Sequence, residues 1–152
     1  MSIESQLIEA LRGPASVFLR LALGGGFLSA VADRFGLWGP TGTKNVAWGD
    51  FAHFTQYTGQ VNPWAPAALI PPLAWVSTVA ELVLGVALIL GLFTRWAALL
   101  SGILLLLFAV GMSLGLGLRA PWNASVPAAA AAAFALVVLG AGPWSVDSWR
   151  GW

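Results

Sequence analysis

Arg20 and Glu81 are the two charged residues that lie deep inside apolar runs of this sequence. A charge at the centre of a bilayer costs about 2.5–3.5 kcal/mol on insertion scales, so each residue needs a polar partner. Helix rise places Glu81 ~15 Å from a helix start near Pro71, and Arg20 ~9 Å from a start near Pro14. If those starts lie on opposite membrane faces, the axial gap is only ~6 Å, and the two side chains are predicted to meet.

Three interpretations of this pair stay open. Arg20 and Glu81 form a structural ion pair that fixes the register of two helices, or they line a ligand or proton site. In the third interpretation Arg20 extends to the membrane surface while Glu81 carries a proton.

The residues one helical turn from each charge are small or polar, so these faces should point into a bundle rather than toward lipid. They define a predicted ligand-binding or ion-pair site of six residues: Arg20, Gly24, Ser77, Thr78, Glu81 and Gly85. A polar corridor is predicted to lead from this site to an outer mouth formed by Asp33, Arg34, His53 and Arg119.

The composition excludes several classes of protein. Of the residues, 59% are apolar and 9% charged, whereas about a quarter of the residues of a soluble domain carry charge. The net charge of +1, without a basic run, argues against a nucleic-acid partner. There is no cysteine and a single histidine, so no thiolate, iron–sulfur or paired-histidine metal site is expected, and no covalent cofactor. Catalysis by this chain alone is not expected.

Four apolar runs are each long enough for a membrane helix, at residues 15–34, 72–93, 95–118 and 125–142. Strands rarely reach this length, and helices satisfy their own backbone hydrogen bonds in lipid. We therefore predict an all-α integral membrane four-helix bundle that forms a single domain over residues 1–152. The run near the amino end also imitates a cleavable signal peptide, but Arg20 would split its apolar region.

A long tryptophan-rich connection separates the first two predicted helices. Prolines prevent a continuous helix through it, and residues 45–58 form either a short interfacial helix or a packed loop. Tryptophans favour the headgroup region. They divide into one set at Trp38, Trp48, Trp64, Trp75 and Trp122, and a second at Trp96, Trp144, Trp149 and Trp152. Four arginines on the side of the termini against three basic residues opposite predict cytoplasmic termini.

The segment at residues 81–95, ELVLGVALILGLFTR, resembles the signature of the DoxX/DoxD membrane proteins, which carry a glutamate, spaced glycines and a closing Gly-Leu-Phe-Thr-Arg on helix two and its turn. RLALG from Arg20 and GPWSVD at 142–147 are similar to other parts of that family. The resemblance implies a small bundle of the bacterial or archaeal cytoplasmic membrane. That family is named after a thiosulfate–quinone oxidoreductase subunit, and some members are linked with oxidative stress. The resemblance also implies that Arg20 and Glu81 correspond to the intramembrane arginine and glutamate of that family.

Two functions are consistent with these features. In the first, a quinone or a lipid binds near Arg20 and Glu81, and a soluble or membrane redox partner carries the electrons. In the second, the protein is a non-enzymatic assembly or partner-binding factor in which the same pair is structural. A small transporter is less favoured because no helix is interrupted at its midpoint. Glycine-rich helix faces also allow a homodimer.

Overall fold

The first helix is longer than its apolar run. The computed structural model describes residues 2–151, and α1 spans Ile3–Arg34. Ser2 caps it by accepting a hydrogen bond from the N–H of Ser5 at 3.2 Å. The start predicted at residue 15 is wrong because α1 continues through Pro14. Proline removes the hydrogen bond to the carbonyl four residues earlier, but that residue, Ala10, is exposed and its carbonyl can reach water.

Three further long helices follow the prediction within a few residues. After a 3₁₀ turn at Ala67–Leu69, α3 spans Ile70–Leu90, α4 spans Thr94–Leu116 and α6 spans Val126–Leu139. Gly91, at a φ of +64°, ends α3 and allows the tight turn into α4. α1, α3 with its preceding turn, and α4 are long and apolar enough to cross a membrane. α6 is shorter, with 14 residues and a length of about 21 Å.

Short helices occupy the connections. α2 spans Phe51–Val61 and lies within the region predicted as an interfacial helix or packed loop, although it starts later than residue 45. α5 spans Ala120–Asn123, and α7 spans Val146–Arg150. About 75% of the chain is helical, and residues 2–151 contain no strand. The all-α prediction is therefore confirmed.

The long helices pack around one apolar core. α1 contacts α3 and α6, and α4 contacts α6 and α3. α1 and α3 approach closely where Gly24 faces Gly85, because neither residue has a side chain to separate the backbones. α2 lies against α3 and α4, and its last residues contact the backbone of Gly111 and Gly115. The core side chains include Leu23, Phe27, Leu84, Leu88, Leu105 and Leu136.

The bundle has two different ends. At the cap end, residues 35–66 fold over the helices, and this end carries Trp38, Trp48 and Trp64. At the turn end, the α3–α4 turn meets the chain that follows α6. Trp96, Trp144 and Trp149 belong to the turn end and are exposed, whereas Trp152 lies outside the described residues. Apolar side chains cover the outer faces between the ends, among them Val79, Val83, Leu100 and Leu107. This is the surface of a multi-pass membrane protein.

Candidate functional site

The partner of Glu81 is Arg34. One guanidinium nitrogen of Arg34, Nη2, forms an ion pair with Oε2 of Glu81, and the other, Nη1, donates a hydrogen bond to Oγ1 of Thr78 at 2.8 Å. The side chains of Arg34 and Glu81 are only 3% and 5% exposed. The predicted Arg20–Glu81 pair is therefore wrong, although a buried carboxylate–guanidinium pair is present.

The tilt of helical side chains explains why Arg34 replaces Arg20. α1 and α3 are antiparallel, and Gly24 lies level with Gly85. From this register, Arg20 and Arg34 lie about 12 Å and 9 Å from Glu81 along the axis, on opposite sides of it. Side chains on a helix incline toward its amino end. Arg34 and Glu81 consequently lean toward each other, whereas Arg20 and Glu81 lean apart.

Aromatic rings cover the ion pair on the side of the cap end. The guanidinium carbon of Arg34 lies 3.8 Å from the ring centroid of Phe54 and 5.3 Å from that of Trp48. A guanidinium over a ring face is favourable, more so where water is excluded. Phe51 packs between Phe54 and Trp75, with centroid distances of 5.9 and 4.3 Å. α2 and the preceding loop therefore seal the pair from water.

Asp33, the neighbour of Arg34, fastens the loop that carries Trp48. Its Oδ2 accepts hydrogen bonds from the N–H groups of Ala47 at 3.1 Å and Trp48 at 2.9 Å. Two consecutive residues at the end of α1 thus perform two tasks. The carboxylate of Asp33 positions the aromatic loop by accepting from backbone N–H groups of that loop. The guanidinium of Arg34 binds the aromatic rings on one side and the carboxylate of Glu81 on the other.

The other two residues of the predicted outer mouth lie apart from this pair. His53 is about half exposed, and its Nδ1 lies 2.8 Å from Oδ2 of Asp50, which also caps α2 by accepting from the N–H of His53. These hydrogen bonds hold the pKa of Asp50 below its ordinary value. Arg119 precedes α5 and is exposed, and its side chain makes no hydrogen bond or ion pair within residues 2–151. The predicted corridor does not form.

Arg20 forms a second polar centre, at the turn end. Its Nε donates to the carbonyl of Leu88 at 3.0 Å, and Nη2 donates to those of Ile89 and Trp144 at 3.1 and 3.0 Å. Nη1 donates to the carbonyl of Ala141 at 2.6 Å. The guanidinium thus joins the last turn of α3, whose carbonyls lack helical partners, to the chain after α6. Arg20 is 1% exposed and has carbonyl partners instead of a carboxylate.

Asp147 and Ser16 complete the turn end. The carboxylate of Asp147 accepts from the N–H groups of Phe93 at 2.8 Å and Thr94 at 2.7 Å, at the amino end of α4. Burial alone would raise the pKa of Asp147, but these hydrogen bonds and the charge of Arg150 outweigh it and place the pKa below its ordinary value. Ser16 donates to the carbonyl of Gly140. Sequence reasoning missed Ser16 because its acceptor is a backbone atom.

The remaining predicted site residues take part in helix packing. Ser77 donates only to the carbonyl of Ala74 in its own helix, at 3.0 Å. A methyl group at Gly24 would lie 2.8 Å from the carbonyl oxygen of Gly85, so this crossing is filled by backbone. Two surface grooves lie elsewhere: neither is lined by Arg20, Arg34 or Glu81. Binding of a quinone or a lipid at Glu81 stays a prediction.

Comparison with known proteins assigns a family. The sequence model of the family described as methylamine utilisation protein MauE matches residues 12–121, which is well over half of the chain. No curated protein and no solved structure matches. The matched region runs from α1 through α5 and includes both buried arginines and Glu81. The assignment to the DoxX/DoxD family is therefore wrong, and so is the thiosulfate–quinone oxidoreductase role it implied.

Proposed function

The chain belongs to the MauE family, and on that premise we propose that it is an integral membrane accessory protein of methylamine utilisation. The observation that carries the proposal is the family match over residues 12–121, since it spans the three membrane-capable helices and the capped ion pair. The protein acts by holding or assembling a partner of the same system, and it performs no reaction of its own.

The contacts of the candidate site support a binding role. Carbonyls of the protein accept from Arg20, and Glu81 and Thr78 bind the two terminal nitrogens of Arg34, whose Nε is buried without a hydrogen-bond partner among the described residues. Aromatic rings cover the remaining face of Arg34. A site arranged in this way stabilises the helices and the cap that covers them. It offers little access to a substrate.

The membrane arrangement is part of the proposal. α6 serves as a fourth crossing, because it packs along α4 and buries Ala130, Ala133 and Leu136. Its length of about 21 Å is extended toward a core of about 30 Å by residues 140–144, which end in an exposed tryptophan. The resulting four-helix bundle lies in a bacterial or archaeal cytoplasmic membrane, with both termini in the cytoplasm and a protein partner on one face.

Growth tests this proposal directly. The gene is deleted in its host, and growth is measured on methylamine as sole nitrogen source and on ammonium. We expect the deletion to abolish or strongly slow growth on methylamine only, and a plasmid copy to restore it. A copy carrying Ser77→Ala serves as the matched control for copies carrying Glu81→Gln or Arg34→Gln. Unchanged growth of the deletion strain on methylamine would refute the proposed role.

A further inference from the structure

A polar groove at the turn end adjoins the centre around Arg20, whose partner Ala141 lines it, but neither buried arginine lines the groove. It has a volume of about 440 Å³ and lies between α1 at residues 9–13, the first turn of α4, and the chain at residues 139–142. Gly13 and Pro143 hold two of its walls together, since a methyl group on Gly13 would lie 3.0 Å from Cδ of Pro143. Ser148 of α7 reaches its edge.

Two arginines from different helices line this groove. Arg12 is exposed, and its side chain makes no hydrogen bond or ion pair with any residue of 2–151. Arg95 donates from Nη1 to the carbonyl of Val137 at 3.1 Å, and its guanidinium lies against Gly140. Glu9 is the one acidic residue that lines the groove, so the charge there is +1. Unlike Arg20 and Arg34, these two guanidinium groups keep donors for a ligand.

The groove lies at the level expected for lipid headgroups, and this position indicates the class of ligand. The apolar parts of α3, α4 and α6 end at this level, and Trp96, Trp144 and Trp149 are 67%, 79% and 83% exposed at the same end. Exposed tryptophans at helix ends mark the headgroup region of a bilayer. Guanidinium groups recognise phosphate oxygens by charge-assisted hydrogen bonds, and basic pockets between membrane helices bind anionic headgroups.

We propose that Arg12 and Arg95 bind the phosphodiester headgroup of an anionic phospholipid in this groove. Ser148 lies at the edge of the groove, but its hydroxyl donates to the carbonyl of Ser145 at 2.7 Å, so the two arginines supply the donors for the phosphate. The net charge of the groove favours a lipid with one negative charge over a zwitterionic lipid. The proposal is independent of the role in methylamine utilisation.

Lipid binding to the purified protein in detergent provides the test, with native mass spectrometry as the readout. Phosphatidylglycerol and phosphatidylcholine with identical acyl chains are titrated onto wild type, Arg12→Gln, the double variant Arg12→Gln/Arg95→Gln, and Arg150→Gln. Arg150 is the matched control because it is exposed at the same end but does not line the groove. Wild type and the control should bind one phosphatidylglycerol at least tenfold more tightly than phosphatidylcholine, and the double variant should lose about tenfold.

Arg12→Gln keeps the test decisive if the double variant misfolds. Since the side chain of Arg12 makes no hydrogen bond or ion pair with the described residues, a loss of phosphatidylglycerol affinity in this variant at an unchanged melting temperature supports the proposal. Equal lipid affinity in all four proteins would overturn it, and so would an equal loss in Arg150→Gln. A third arm adds excess glycerol 3-phosphate or inorganic phosphate. Full displacement of the lipid by either would show that the groove takes a free phosphate and would overturn the lipid assignment.

Discussion

Each buried arginine of this protein has a different kind of partner. Arg20 donates to backbone carbonyls in the last turn of α3 and in the chain after α6, and it connects these two segments. Arg34 forms an ion pair with Glu81 and lies under aromatic rings. The first arginine can be understood as a backbone clamp and the second as a charge pair, although both lie in the same helix.

Removing the carboxylate should leave Arg34 as an unpaired buried charge. We expect Glu81→Gln to destabilise the protein by about 3–5 kcal/mol, the usual cost of breaking a buried ion pair from one side. Thermal unfolding in detergent measures this. Ser77→Ala is the control because its hydroxyl serves only its own helix. Adding Arg34→Gln to Glu81→Gln should recover part of the loss, and a melting temperature equal to wild type in Glu81→Gln would contradict the stabilising role.

Asp147 gives the turn end a dependence on pH. Because its pKa is lowered in the folded protein, its contribution to stability is complete above the ordinary carboxyl value of about 4 and is lost as the pH falls through the lower folded value. Asp147→Asn can accept from only one of the two N–H groups. We expect it to cost about 2 kcal/mol at neutral pH, and the difference from wild type to shrink below pH 4. Unfolding curves from pH 7 to 3 measure this, and a constant difference would disprove it.

At the scale of elements, close backbone contact decides how the helices associate. α1 and α3 cross at Gly24 and Gly85, and α2 rests on α4 where Gly111 and Gly115 leave the backbone accessible. Apolar side chains gain little from contacting one another in lipid, so van der Waals contact at small residues has to hold such helices together. The Arg34–Glu81 pair then joins α1 to α3 nearer the cap end, and Arg34 also contacts Phe54 of α2.

Neighbouring glycines in α1 should therefore respond in opposite ways. A methyl group at Gly24 would lie 2.8 Å from the carbonyl of Gly85 and 2.9 Å from Cγ1 of Ile89, whereas at Gly25 it would meet nothing within 4 Å. Gly24→Ala should cost about 1–3 kcal/mol through overpacking. Gly25→Ala should be neutral or stabilising, by up to about 1 kcal/mol, because alanine is the better helix former. Unfolding in detergent compares them, and equal effects would mean that the crossing is not tight.

At the scale of the whole molecule, the protein is a bundle with one end covered by an aromatic cap and the other closed by carbonyl and carboxylate contacts. The proposed four crossings, an even number, place both termini on the turn side. The cap end then faces the opposite compartment. This arrangement keeps the two polar centres apart and leaves the core between them apolar.

The absence of cysteine makes this topology simple to measure. Single cysteines at the exposed positions Ser2, Thr43, Asn123 and Ser148 are labelled with a membrane-impermeant maleimide in intact cells and after lysis. We expect Thr43→Cys and Asn123→Cys to react in intact cells, and the other two only after lysis. Matching behaviour of Asn123→Cys and Ser148→Cys would show that α6 does not cross the membrane.

The amino-acid sequence alone determined the all-α class and the ends of α3 and α4 within a few residues. These features depend on local hydropathy, helix length and turn chemistry, which a single segment carries. The start of α1 was placed wrongly because Pro14 is tolerated where the helix is exposed to water. The family was assigned wrongly from short motifs in three segments, of which the one in helix two and its turn was the most specific, and the match over residues 12–121 overrides them.

Only the tertiary structure decided which arginine meets Glu81. That choice depends on the register of α1 against α3 and on the tilt of side chains toward helix amino ends, and neither quantity is present in one segment. The carbonyl partners of Arg20 are likewise invisible in side-chain types, since every residue carries a carbonyl. The position of Arg20 and Glu81 inside apolar runs indicated that each charge needs a polar partner. The packing of neighbouring helices determined which groups those partners are.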